Sequence, residues 1–430
     1  VTPIADGWID DAPVQWTRGR IKNLIASSNN GTWGDEPVED GSDVHCIRAA
    51  DFDRVGRRAE VNGAPLRSID ASSLRRHLLH PGDLILEKSG GGEKQPVGMA
   101  VLYEGAKKAV CSNFCSRISP AADVDSRYLT YVFAAAYGQG LTQSAIKQTT
   151  GIQNLDAGVF FSSPWAYPEL EEQRRIADFL DAETVRIDGL VVLRAQQRTL
   201  LEQRLRVSVR EQFQDIETVP TRLKFLLTAR PRYGVLVPKF EDNGVKFIRV
   251  NDLLDLDGRA QGLITISSEV SAQYPTTVVR ENDILVSVVG TLGRAAVAPA
   301  SVQGANVNRA IAVLRPLPWV DRELLAAWIN GDDFETQAML ATGNDSAQRT
   351  LGMEDMSNFA LPWPREEAVQ AKLAAEVHNS QAVMRELGRR LSVQTAVLEE
   401  RRQALITAAV TGQFDVSTAS GRSVTDGVTA

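Results

Sequence analysis

Val44-His45-Cys46-Ile47-Arg48-Ala49-Ala50-Asp51-Phe52 returns about 200 residues further on as Val245-Lys246-Phe247-Ile248-Arg249-Val250-Asn251-Asp252-Leu253. The same offset relates Arg20-Ile21-Lys22-Asn23-Leu24 to Arg222-Leu223-Lys224-Phe225-Leu226, and Pro81-Gly82-Asp83-Leu84-Ile85-Leu86 to Glu281-Asn282-Asp283-Ile284-Leu285-Val286. A weaker echo joins Gln148-Thr149-Thr150-Gly151-Ile152 to Gln348-Arg349-Thr350-Leu351-Gly352. So long an offset is far beyond a solenoid period, and the chain reads as two similar halves. Its 430 residues are too many for one ordinary core and agree with two or three domains.

Each half closes with proline punctuation and a long helical pattern. The first follows Ser163-Pro164-Trp165-Ala166-Tyr167-Pro168 and runs from about Glu169 to Phe213. The second follows Leu361-Pro362-Trp363-Pro364 and runs from about Glu366 to Thr411. Val377, Met384, Leu391, Leu398 and Leu405 recur every seventh residue, which is a coiled-coil seam, with Leu387 and Ala408 extending the stripe. Leu180, Ile187, Leu190 and Leu201 supply a partner stripe on the first helix, where Arg194 interrupts it. One such stripe without a partner would leave a long apolar face in water, so the helices are expected to pack on each other.

The regions before the helices alternate short apolar runs with Gly, Asp and Asn turns. Leu84-Ile85-Leu86, Val97 to Leu102, Asp283 to Val289 and Ala310 to Leu314 are predicted strands; Tyr128 to Tyr137 and Arg322 to Asn330 are predicted helices. The fold class is α+β, with two mixed α/β domains and a pair of long coiled-coil helices in an internal repeat. The expected boundaries are a first domain over 1–168, a central helix over 169–214, a second domain over 215–364, a distal helix over 365–414 and a flexible tail over 415–430.

Composition excludes several classes. Hydrophobic residues at 43% and charged residues at 23% describe a globular protein, and no apolar run reaches the length of a membrane helix. Val1 to Asp6 lacks a signal-peptide pattern, and three cysteines cannot form a disulfide framework, so a cytoplasmic location without membrane attachment is expected. A net charge of −7 argues against a polybasic binder but leaves room for a local basic groove.

Catalytic signatures are absent. Lys88-Ser89-Gly90-Gly91-Gly92-Glu93-Lys94-Gln95 lacks the Gly-Lys-Ser/Thr triplet of a phosphate loop. Asp83, Glu87 and Lys88 do not make a nuclease set, because Ser89 stands where the lysine would share a strand face, and Asp83 reads as a turn residue. His45 and Cys46 are strand neighbours on opposite faces, so with Cys111 and Cys115 they read as buried apolar cysteines and not as a metal site. His77 and His80 fit a solvated helix end. Neither a catalytic group nor a metal site is expected, nor any cofactor within this chain.

What remains is polar and basic clusters at similar places in both halves. The first half has Asn29-Asn30-Gly31-Thr32, Lys88 and Lys94, Lys147-Gln148-Thr149, and Gln153-Asn154; the second has Arg230, Arg232, Thr291 with Arg294, Asn308-Arg309, and Arg349. Such side chains hold phosphates and read base edges, which makes these residues candidates for DNA contact.

Pro168-Glu169-Leu170-Glu171-Glu172-Gln173-Arg174-Arg175-Ile176-Ala177-Asp178-Phe179-Leu180-Asp181 resembles the start of the central conserved helix of type I restriction-modification specificity subunits. Leu398-Glu399-Glu400-Arg401-Arg402-Gln403-Ala404-Leu405-Ile406 resembles the end of their distal helix. Gly82 to Gly91 and Gly151-Ile152-Gln153-Asn154-Leu155 are similar to segments of their target-recognition domains. The resemblance implies two such domains held apart by an antiparallel helix pair, each reading half of a split double-stranded DNA site. It implies two methyltransferase partners that use S-adenosylmethionine, and motor-nuclease partners that use ATP and Mg. The chain itself would be non-catalytic. Two departures stand out: Glu366-Glu367-Ala368-Val369 replaces the Glu-Gln start of the second helix, and the second domain lacks the Lys-Ser-Gly-Gly stretch. The rival readings are a coiled-coil scaffold without DNA contact and a hydrolase whose motif is not evident.

Overall fold

The computed structural model describes residues 8–92, 95–105, 107–149, 152–214, 218–343 and 349–416, with backbone only at 148, 149, 206, 209 and 214. It falls into two compact units, Val1–Arg194 with Gln394–Ala430, and Ala195–Val393. Each unit holds one mixed α/β globular portion and parts of both long helices, which span Leu170–Gln214 and Glu367–Val410. Among the described residues no helix is long and apolar enough to cross a membrane. The domain boundary at 215 and the tail beyond 416 lie outside the described residues.

Both units are organised by a strand that is apolar on both faces. In the first, Leu84–Glu87 lies inside a six-stranded sheet between Cys115–Pro120 and Ala100–Leu102, antiparallel to both. Alternation sends Leu84 and Leu86 into a core under the helix Ser126–Gly138, while Ile85 joins Val101, Cys111 and Cys115 on the other face. In the second unit Ile284–Ser287 lies between Ala295–Val297 and Ile311–Leu314. Ile284 and Val286 face the helix Arg322–Ile329, and Leu285 faces Ile248, Val307 and Val313. The predicted strand at Val97 starts only at Ala100, because Gly98 adopts φ +110 where its backbone passes Thr142.

The repeated motifs have matching structures. Thr17–Arg20 and Val219–Arg222 each end in a single 3-10 turn, and each pairs antiparallel with the strand that precedes a long helix, Pro164–Tyr167 or Ala360–Trp363. Arg48 and Arg249 bond to Asp51 and Asp252 at the mouths of equivalent short turns. Asp83 and Asp283 accept from the amides of His80 and Arg280, which confirms Asp83 as a turn residue. Arg117 and Arg315 balance their buried charges.

The departure at the start of the second helix is only apparent. In the first unit buried Gln173 donates to the Pro168 carbonyl at 2.9 Å and accepts from the Asp125 amide at 3.0 Å. Gln370, equally buried, donates to the Pro364 carbonyl at 3.0 Å and accepts from the Asp321 amide at 2.8 Å. Asp125 and Asp321 are themselves the N-caps of Ser126–Gly138 and Arg322–Ile329. One extra residue separates the proline from the glutamine in the second half, which hid the match from the sequence.

In the first unit Leu180 and Ile187 share a core with Leu405, Ile406, Ala409 and Val410, with Leu398 and Val191 half-buried against it. In the second, Phe213 shares a core with Leu373 and Val377, while Leu201, Met384 and Leu391 are half-buried. Leu190 is 38% exposed. At 100° per residue it lies roughly 80° from Leu180 around the axis, whereas Val191 lies within roughly 20°. Val191 therefore fills the seam position that the sequence assigned to Leu190. Leu387, read as extending the second stripe, is also exposed at 39%.

Replacing Gln173 or Gln370 by Ala strands a buried N-cap amide and a proline carbonyl. Each change should cost about 1–3 kcal/mol, and the double mutant about the sum, read by urea denaturation.

Candidate nucleic-acid interface

The first unit turns its central strand outward at Lys88. The ladder that buries Leu84 to Glu87 ends there, and Lys88 is half-buried with its Nζ donating to Asn30 Oδ1 at 2.8 Å. Ser116 Oγ approaches the same oxygen at 3.4 Å. Ser89–Gly90 pairs antiparallel with Ile152–Leu155, so Ser89 Oγ donates to Asn154 Oδ1 at 2.7 Å. Lys88, Asn30, Ser89 and exposed Asn154 thus form one polar surface.

Two other candidates have local partners. Gln153 is buried, and its Oε1 accepts from the Val97 amide at 3.3 Å. Lys147 is exposed but paired with Asp156 at 2.7 Å, which holds that carboxyl below its usual range. Gln148 and Thr149 lie on the strand Ile146–Thr149, whose backbone alone is described for them, and Lys94 lies outside the described residues.

Main-chain bonds align the second unit with the first position by position. The amides of Lys88 and Val288 bond to the carbonyls of Phe114 and Ala310, and Leu155 and Leu351 return bonds to the carbonyls of Lys88 and Val288. Gly31 and Gly234 pack so closely on the carbonyls of Cys111 and Val307 that an added Cβ would stand 2.2 and 2.1 Å away. Val288 therefore occupies the place of Lys88, Tyr233 that of Asn30, Arg349 that of Gln153 and Thr350 that of Asn154. This corrects the sequence register, which matched Gln148-Thr149-Thr150 with Gln348-Arg349-Thr350; Gln348 lies outside the described residues.

Tyr233 donates its hydroxyl to the Leu351 carbonyl at 2.7 Å, and the Arg309 amide bonds to the Val235 carbonyl at 3.0 Å. These bonds bring exposed Arg309, exposed Arg232 and half-buried Arg349 onto neighbouring main-chain segments. Arg349 contacts Met339 Sδ. Arg230 is exposed just before the edge strand Arg232–Tyr233. Asn308 is half-buried, its Oδ1 accepting from the Ala310 amide at 2.9 Å. Arg294 stands apart from this group and lines a 500 Å³ cavity with Glu202, Leu205 and Arg385.

Glu87, rejected from a nuclease set on sequence grounds, has a different environment of its own. It is buried, pairs with Arg54 at 3.1 Å and lines an 800 Å³ cavity with Arg54, Gly91 and Gly92. Burial pushes its carboxyl up, and Arg54 pulls it back in part. The only sequence signal was an acid at the end of an apolar strand.

Among the described residues no group of three or more His, Cys, Asp or Glu is placed to hold a metal. The three cysteines are fully buried. Burial raises the Cys46 thiol to about 11, against the pull of Arg67, and Cys115 to about 12; Cys111 shifts upward for the same reason. Iodoacetamide at pH 8 should therefore alkylate the native chain at least roughly 100-fold more slowly than the chain in denaturant, because the thiolate is the reactive form. Rapid labelling of Cys46 in the native state would show that the site is open.

No family model matches the chain. Over 140 residues it is 32% identical to the Type I restriction enzyme EcoBI specificity subunit of Escherichia coli, a match that spans 32% of this chain and 29% of that protein. A chain from a solved type I R-M system, described for its complex assembly and conformational transition, aligns with a TM-score of 0.66 and 19% identity. That alignment covers 94% of this chain and 99% of the other. The HsdS subunit from Thermoanaerobacter tengcongensis aligns with a TM-score of 0.49 and 19% identity over 94% of this chain and 98% of its own. The resemblance to type I specificity subunits is thus shown in shared sequence over that 140-residue stretch. The fold is that of a chain in a solved type I R-M system.

Proposed function

We propose that the chain is the non-catalytic DNA-recognition subunit of a cytoplasmic type I restriction-modification complex, each unit reading one half of a bipartite double-stranded site. The observation that carries this reading is the position-by-position match of two scaffolds with unlike polar side chains on them: Asn30 against Tyr233, Asn154 against Thr350, Gln153 against Arg349. Like backbones with unlike polar residues suit two non-identical half-sites, whereas a symmetric reader suits a palindrome. The shared sequence with the EcoBI specificity subunit supports the same conclusion.

In this reading Lys88, Lys94, Lys147, Gln148, Thr149, Gln153 and Asn154 serve the first half-site. Arg230, Arg232, Arg294, Asn308, Arg309 and Arg349 serve the second. Lys88, Asn154, Arg309 and Arg349 carry the greatest weight, because they lie on or beside the main-chain segments that match between the two units. The long helices set the gap between half-sites and dock two methyltransferase subunits. The helices leave Val192, Leu193 and Val397 in the first unit, and Leu200 and Val383 in the second, more than half exposed, apolar side chains suited to protein contact. S-adenosylmethionine would belong to those subunits, and ATP and Mg to motor-nuclease subunits.

Mapping of methylated adenines in cells that express the chain with its methyltransferase subunits tests the proposal. Lys88→Ala or Asn154→Ala should relax one half-site, and Arg309→Ala or Arg349→Ala the other, at about 1–3 kcal/mol for a base contact. A phosphate contact should instead weaken all sequences alike and lower the salt slope by about one. Four residues inserted after Leu205 add about 6 Å of helix and nearly preserve its face, so the gap should widen with both half-sites unchanged. Salt-insensitive retention without sequence preference would favour a scaffold.

A further inference from the structure

Arg57 is an oddity that DNA reading does not use. It is 7% exposed, yet its backbone is left-handed at φ +56, a conformation strained for any residue with a Cβ. It lines a 260 Å³ cavity within the first unit, between the turn at 53–58, the helix Ser126–Gly138 and the two long helices. Its guanidinium has one described contact, the face of Tyr131, with the ring centroid 5.7 Å away. Among the described residues it makes neither a hydrogen bond nor an ion pair.

The other charges on the cavity wall are accounted for. Arg127 donates to Asp181 at 2.8 Å, and Tyr131 donates to the other oxygen of that carboxylate at 2.7 Å. Arg402 donates to Asp188 at 3.1 Å and also to the Val55 carbonyl. Asp53 accepts from the amides of Val55 and Gly56, and Arg58 pairs with Glu104. Burial, together with the charge of Arg402, lowers Arg57 to about 10, so it remains a cation at neutral pH. Asp188 and Asp53 attract Arg57 only through space, from carboxylates already bonded to Arg402 and to the turn amides, so the guanidinium is left facing the cavity with no acceptor in direct contact.

The geometry points to a small-oxyanion site, in which a phosphate or carboxylate enters the cavity and takes two of its oxygens to the fork of Arg57. A guanidinium presents parallel donors that match either group. At about 30 Å³ per water the cavity holds an oxyanion with several waters and is too small for a nucleotide. A bound anion would tie the turn at 53–58 to both long helices. This site is independent of the DNA-binding reading.

Thermal unfolding of the full chain at constant ionic strength, in phosphate, acetate or chloride, tests the site. With wild type, phosphate or acetate at about ten times its Kd should raise Tm by roughly 2–4 °C over chloride. The ion that acts tells an inorganic phosphate source from a carboxylate one. Arg57→Met should abolish the increment, and Arg57→Lys, which keeps the charge but loses the fork, should retain a smaller one. In chloride Arg57→Met should unfold at the same Tm or higher, because an unpaired buried charge is gone. Loss of stability or failure to fold in chloride would make Arg57 structural and overturn the proposal. So would an anion response that persists in Arg57→Met, or its absence from wild type.

Discussion

A strand that is apolar on both faces needs a covering layer on each side, and in each unit that requirement organises everything else. Leu84 and Leu86, or Ile284 and Val286, demand a helix; Ile85, or Leu285, demands a second packed layer behind the sheet. The helix that answers is capped by Asp125 or Asp321, and the cap is held in turn by a glutamine on a long helix. Burial at the strand thus fixes the globular portion, and one amide side chain seats that portion on its helix.

The same strand dictates where chemistry appears. Leu84 to Leu86 are sealed between two cores, and the strand reaches the surface only just past the ladder at Lys88, whereas the matching Val288 of the other unit stays buried in its core. Around that position the main-chain bonds of the two units coincide while the side chains diverge, from Asn30 to Tyr233 and from Gln153 to Arg349. The backbone is held by the demands of the core, and the surface at its edge is released from them.

The duplication, both long helices and the core strands were legible in the sequence because apolar periodicity and proline punctuation are local signals. Three things were hidden. The buried glutamine of the second half sits one residue farther from its proline, so motif matching missed Gln370, although hydrogen bonding makes it the equal of Gln173. Leu190 looked like a seam residue by type, but helical phase gives that place to Val191. The local partners of Gln153 and Asn308 were hidden as well: one amide oxygen accepts from the Val97 backbone and the other from the Ala310 amide in a turn. Polar residues that serve the fold and polar residues that serve a ligand are identical in sequence, and only their partners distinguish them.

The glutamine joint is indifferent to side chains. Gln173 grips the Asp125 amide and the Pro168 carbonyl, and Gln370 grips the Asp321 amide and the Pro364 carbonyl; nearly everything it holds is main chain. The same grip serves two globular portions that carry different residues, while side-chain pairs such as Arg127 and Tyr131 on Asp181 add a fit particular to the first. A globular portion exchanged whole, with the break placed in the short segment between the proline and the glutamine, would keep this grip and would have only the side-chain pairs on the helix left to match.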